Sequence, residues 1–169
     1  MNSPTLLSSS AQATTAAEAR FRLGYPLAPA RGARVVALDS GAEAIVRRVA
    51  ELPWDTARFF VSETSSSSAD FDGGPVEVDL RRLDGSTTPL SSELVGVDVT
   101  IMIATTDVGA EAAAIIGAAC TVRGIMTAGI VVGDADTYLT VSALRPYARV
   151  LIVSTDENDL DALLTAVRA

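Results

Sequence analysis

The chain is 169 residues long and 49% hydrophobic, and its 13 basic residues against 21 acids leave a formal net charge of −8. Every basic residue is an arginine. With no lysine and no histidine, a Walker-type phosphate loop, a Schiff base and any Ser-His-Asp or Cys-His arrangement are excluded.

The length suits one sizeable core. The acids form no long block, and the net negative charge argues against nucleic acid or an anionic membrane as a partner bound through a basic patch. Cys120 is the only cysteine, so no internal disulfide or thiolate cluster can form, and its apolar run marks a buried, inert thiol. The longest uncharged stretches near the C-terminal half, 112–122 and 124–133, are too short to span a bilayer.

Residues 1–32 are rich in Ser, Thr, Ala and Pro, lack the positive start and apolar core of a secretory signal, and read as a flexible tail ending in a docking arm. In that arm Phe21, Leu23, Tyr25 and Leu27 alternate, a pattern suited to covering a sheet edge or entering a partner's groove. The cytoplasm is the expected compartment.

Residues 33–169 are expected to form a single α/β domain. Val35, Val36 and Leu38 mark a strand, Asp39-Ser40-Gly41 a turn, and Ala42 to Leu52 a helix stopped by Pro53. Arg58 to Ser62 follow as a strand and Thr64 to Ser68 as a polar loop. Val76, Val78 and Leu80 then alternate with Glu77 and Asp79, as in a half-buried strand at a sheet margin. A turn-rich connector around Gly85 and Pro89 leads to a helical turn at Ser91 to Val95.

From Val99 onward strands and helices alternate: strand Val99–Ala104, helix Glu111–Val122 capped by Gly124, strand Met126–Val132, helix Thr137–Leu144, strand Val150–Ser154 and helix Leu160–Val167. That order calls for a mostly parallel, Rossmann-like sheet with helices on both faces. The small residues of the Glu111–Val122 helix should let it approach the sheet closely and be buried on more than one side.

In such a sheet, ligands bind beyond the carboxyl ends of the strands, where strand order reverses. The loops expected there carry Ser40, Gly41, Thr105, Thr106, Gly109, Ser154 and Thr155, whose hydroxyls and amides suit a neutral or singly charged ligand. They also carry Asp39, Asp107, Asp134 and Asp156, which would repel a pyrophosphate by about 1 kcal/mol per exposed pair at close range. Asp107, Asp136 and Asp156 precede helices and are expected to cap them, with Asp134 and Asp136 as the alternative of a Mg²⁺ or Ca²⁺ pair. The pairs Arg47-Arg48 and Arg81-Arg82 are expected on solvated faces.

The stretch VDVTIMIATTDVGAEAAAIIGAACTVRGIMTAGIVV, together with SALRPYARVLIVSTDENDLDALL, resembles the nucleotide-binding, N-terminal half of the FtsZ/tubulin superfamily over roughly Arg34 to Leu164. The resemblance aligns Leu38-Asp39-Ser40-Gly41-Ala42-Glu43 with the family's first glycine-rich turn. It aligns Thr105 through Glu111 with the phosphate signature GGGTGTG. Each loop keeps one glycine, so the resemblance implies degenerate phosphate loops, with Gly41, Gly109 and Asn158 as the surviving nucleotide-site positions. The catalytic acids that the family places in a second domain have no counterpart here.

These observations point to a noncatalytic accessory or scaffold protein that acts through protein contacts, with a protein partner or a second copy and no cofactor. The recruiting surface is expected to join the arm with an exposed face around Trp54, Phe59 and Phe60, although Trp54 could equally be a packing residue between helix and strand. The alternative is a sensor or enzyme that binds a nucleotide or dinucleotide through the polar loops.

Overall fold

A computed structural model describes residues 32–63, 78–133, 137–156 and 159–167. Their elements are β1 (Ala33–Ala37), α1 (Ser40–Val49), β2 (Arg58–Glu63), β3 (Asp79–Arg82), β4 (Thr87–Pro89), α2 (Leu90–Glu93), β5 (Val99–Ala104), α3 (Ala110–Val122), β6 (Met126–Val132), α4 (Tyr138–Leu144), β7 (Val150–Ser154) and α5 (Asp159–Val167). The strands form one sheet in the order β4-β3-β2-β1-β5-β6-β7.

The five strands from β2 to β7 run parallel, while β3 and β4 pair antiparallel at one margin. This is the expected α/β class. The central strands β1 and β5 are buried along their whole length, so their sequences are continuous apolar runs and show no alternation. At the margin, Val78 and Leu80 are buried while Asp79 is exposed, in the alternation of a strand with one wet face.

Side-chain alternation splits the core in two. Val36, Leu38, Phe60, Met102 and Ala104 meet α2, α3 and α4 on one face. On the other, Val35, Ala37, Val61, Ile101 and Ile103 meet α1 and α5. Small residues set the spacing of the first layer. Ala112, Ala113, Ile116 and Cys120 of α3 are buried, and a Cβ at Gly117 would lie 2.4 Å from the Tyr147 ring, so α3 is indeed packed on two sides.

The end of α3 follows from a left-handed residue. Gly124, at φ 68°, lets the Ile125 amide donate to Cys120 O at 2.9 Å and turns the chain into β6. Burial pushes the Cys120 thiol pKa up, in keeping with an inert core residue.

Three details differ from the sequence expectation. Ser40 and Gly41 belong to the first turn of α1, because Asp39 caps the helix one position before them. A short strand, β4, lies in the connector around Gly85 and Pro89. Neither arginine pair is simply solvated: Arg47 and Arg81 both meet Glu43, Arg81 also meets Glu63, and Arg82 meets Glu93. The arm with Phe21, Leu23 and Tyr25, the loop at Thr64 to Ser68, and Asp134, Asp136 and Asn158 lie outside the described residues. Among the described residues no helix is long and apolar enough to cross a membrane.

Candidate functional site

Strand order reverses between β1 and β5: the chain leaves β1 for β2 on one side and β5 for β6 on the other. The crevice beyond their carboxyl ends is therefore the place where this architecture receives a ligand. Its walls are the Leu38–Gly41 turn and the Thr105–Gly109 loop, held together at their base by the Leu38 amide donating to Ile103 O at 2.8 Å.

The Asp39 carboxylate occupies that crevice. As the cap of α1 its Oδ1 accepts from the Ala42 amide at 2.8 Å. Oδ2 accepts from the amides of Thr105 at 2.7 Å and Thr106 at 3.0 Å. The Thr105 hydroxyl donates to Oδ1 at 2.7 Å and the Thr106 hydroxyl to Oδ2 at 3.3 Å. A helix N-terminus and a run of loop amides are the donors an open site would turn toward an anion. Here they converge on an internal carboxylate that is 9% exposed.

The charge state agrees with the geometry. Burial alone would raise the Asp39 pKa, but the Thr105 hydroxyl and the three amides together outweigh it and hold the carboxyl below the usual aspartate value. The group is ionised when folded, and it neutralises the donors that would otherwise seek a ligand.

The two surviving glycines serve this closure. A Cβ at Gly41 would lie 2.2 Å from Thr105 Oγ1, in the path of the Thr105–Asp39 hydrogen bond. One at Gly109 would lie 2.4 Å from Leu38 Cβ and 2.7 Å from Leu38 O. Each glycine lets one loop touch the other. Gly109→Ala is accordingly expected to cost about 2–3 kcal/mol in chemical denaturation, an overpacking cost against backbone that cannot rotate away. A loss below about 0.5 kcal/mol would mean that the loops do not press on each other there.

The second loop is braced from its far side as well. Asp107, expected to cap the helix that follows it, instead accepts from the Thr140 amide in the first turn of α4 at 2.9 Å. The Thr140 hydroxyl donates to Thr106 O at 2.9 Å, and Gly109 caps α3 without a side-chain bond. One five-residue loop thus ties α1, α3 and α4 together.

Of the sequence candidates, Ser40, Gly41, Thr105, Thr106 and Gly109 come together around Asp39. Ser154 and Thr155 do not join them. They end β7, two strands from β5, and the Ser154 hydroxyl accepts from the Asp156 amide at 2.9 Å. Phe60 is fully buried against α2 and α3, which removes it from any recruiting face. Phe59 is half-buried on the opposite face. Trp54 packs there too and donates its indole N–H to Val49 O at 2.9 Å, closing the end of α1.

A shallow depression of about 330 Å³ lies at the other end of the sheet, where Phe59, Phe60 and Leu83 meet Arg58 and Arg82. Among the described residues no group of three or more acids or thiols is placed to hold a metal ion. Sequence reasoning names Asp39 only as a charge that repels pyrophosphate and misses its role as the acceptor of the loop amides, for which its place directly after the first strand is the one signal. No family model, curated protein or solved structure matches the chain.

Proposed function

We propose that this protein is a noncatalytic accessory or scaffold subunit of the cytoplasm that acts through protein contacts, on an FtsZ-like nucleotide-binding architecture whose phosphate loops have degenerated. One observation carries the reading. The Asp39 carboxylate takes three backbone N–H groups and two hydroxyls in the crevice where such an architecture would bind its ligand. A phosphate would have to displace an ionised, buried group that already satisfies those donors, and no lysine is present to compensate.

The reading as a nucleotide sensor or enzyme draws less support. The hydroxyls it would use at Thr105 and Thr106 are already bonded to Asp39, and its glycines are in van der Waals contact with the opposite loop. A thermal titration separates the two readings. GTP, GDP, ATP, NAD and FAD, each with and without Mg²⁺, are expected to leave the melting temperature unchanged. A selective rise would overturn the proposal, because a ligand at about 100 times its dissociation constant stabilises by about 2.7 kcal/mol.

A further inference from the structure

The two margins of the sheet are built differently. At one, β4 has three residues, ends in Pro89 and sits beside a strand carrying Asp79, Arg81 and Arg82. Shortness, proline and charge are the ordinary devices that keep an edge from pairing. At the other margin, β7 has none of them. Val150-Leu151-Ile152-Val153-Ser154 carries no charge and no proline, and its ladder to β6 runs unbroken over all five residues.

Among the described residues no strand pairs with the outer side of β7. The Gly133 amide donates to Ser154 O at 2.9 Å in the ladder to β6, so by alternation Val150 and Ile152 also turn toward β6, and the N–H and C=O of Leu151 and Val153 point away from it. Val150 and Val153 are 43% and 58% exposed. An edge of this kind is a template for another strand.

We infer that β7 pairs antiparallel with β7 of a second copy about a twofold axis at Ile152, joining the two sheets into one. The sequence is self-complementary in that register. Leu151 faces Val153 of the second copy on each side of the axis as a hydrogen-bonded pair, using the donors and acceptors that point outward, and Ile152 faces Ile152 as the non-hydrogen-bonded pair between them. Val150 faces Ser154, and no like charges meet. At each end Arg149, which is exposed, comes opposite Thr155 and one residue from Asp156 of the other copy, a cation against an acid.

The N-terminal arm fits this edge less well, because Gly24, Pro26 and Pro29 interrupt its strand and its run of donors. An isologous contact of this type closes on itself and leaves β4 as the outer margin on both sides. The inference supplies a partner for the assembly role proposed above. It stands on oligomeric state, however, whereas the filled crevice stands on ligand titration, so either can fail alone.

Sedimentation equilibrium of the full chain tests it. The wild type is expected to be a dimer at about 100 μM. Val153→Lys, on an exposed side chain, is expected to weaken the dimer by about tenfold or more while cooperative unfolding persists. Val153→Glu should do the same, and an equimolar mixture of the two should recover association, because the two positions 153 lie diagonally across the axis.

Val153→Pro provides a second variant that deletes an outward N–H and spares the ladder to β6. A monomeric wild type at that concentration would overturn the inference. So would a dimer that neither Val153→Lys nor Val153→Pro weakens, or a Lys and Glu mixture that stays monomeric.

Discussion

Asp39→Ala is expected to lower stability by about 3 kcal/mol and to make it depend on small anions, as the wild type's does not. The size follows from what the carboxylate does: a hydrogen bond to a charged group is worth about 1.5–3 kcal/mol, and Asp39 accepts five in one cluster whose members cannot be counted independently. Water entering the vacated space would recover part of the sum. A loss of that size corresponds to a fall of about 10 °C in melting temperature for a domain of this length.

The anion dependence is the more telling part. Removal of the side chain leaves the amides of Ala42, Thr105 and Thr106 aimed at a space the size of a carboxylate, so acetate or sulfate at constant ionic strength should restore stability to the variant more than to the wild type. Equal responses would mean that the amides do not form an anion site when Asp39 is gone. Asp39→Asn should show a smaller loss, since its amide oxygen can still cap α1 while its NH₂ group faces donors.

The pH dependence has a definite sign. The folded pKa lies below the unfolded one, so the carboxylate stabilises the protein above the unfolded value, and that contribution disappears as pH falls through the folded value. The acid limb of the wild type should be steeper than that of Asp39→Ala.

How far the sequence reveals this arrangement depends on the range of the interactions involved. Strands β5, β6 and β7 are legible because their apolar runs are bounded by polar turns, and nothing distant is needed to define them. The end of α3 at Gly124 is legible for the same reason. By contrast β4 is a Thr-Thr-Pro stretch that becomes a strand only because Asp79–Arg81 lies beside it, and pairing across a hairpin outweighs its own weak preference.

Topology alone points to the crevice between the two loops, and its chemistry does not follow from the sequence. From sequence, Asp39 is an obstacle to an anion. In the fold it is the anion, because Thr105 and Thr106, 66 and 67 positions away, turn their amides onto it. Asp107 shows the same limit. Its position before α3 suggests a local cap, and only the packing of α4 against the loop makes Thr140 its partner.

Glu93→Ala is expected to cost still more, about 3–5 kcal/mol, because it strands a buried charge. Glu93 is 4% exposed and Arg34 7%. The Arg34 guanidinium donates Nε to the Glu93 carbonyl at 3.0 Å and lies 3.6 Å from its carboxylate, which also receives Arg82 at 2.5 Å and Arg58 at 3.8 Å. Burial, and the neighbouring Arg58 and Arg82, all lower the Arg34 pKa; only Glu93 opposes them.

Without the carboxylate, three guanidiniums converge with nothing between them, and the one that cannot reach water bears most of the penalty. Arg82→Ala, at the more exposed end of the cluster, should cost no more than about 1 kcal/mol. The cycle of Glu93→Met, Arg34→Met and the double variant separates stranded charge from lost attraction. If stranding dominates, the double variant will be more stable than Glu93→Met alone, and added salt will help Glu93→Met more than the wild type. A double variant no better than the single would place the cost in the shape of the side chain, and the charge cluster would then be a consequence of the packing of α2 on the sheet and not a cause of it.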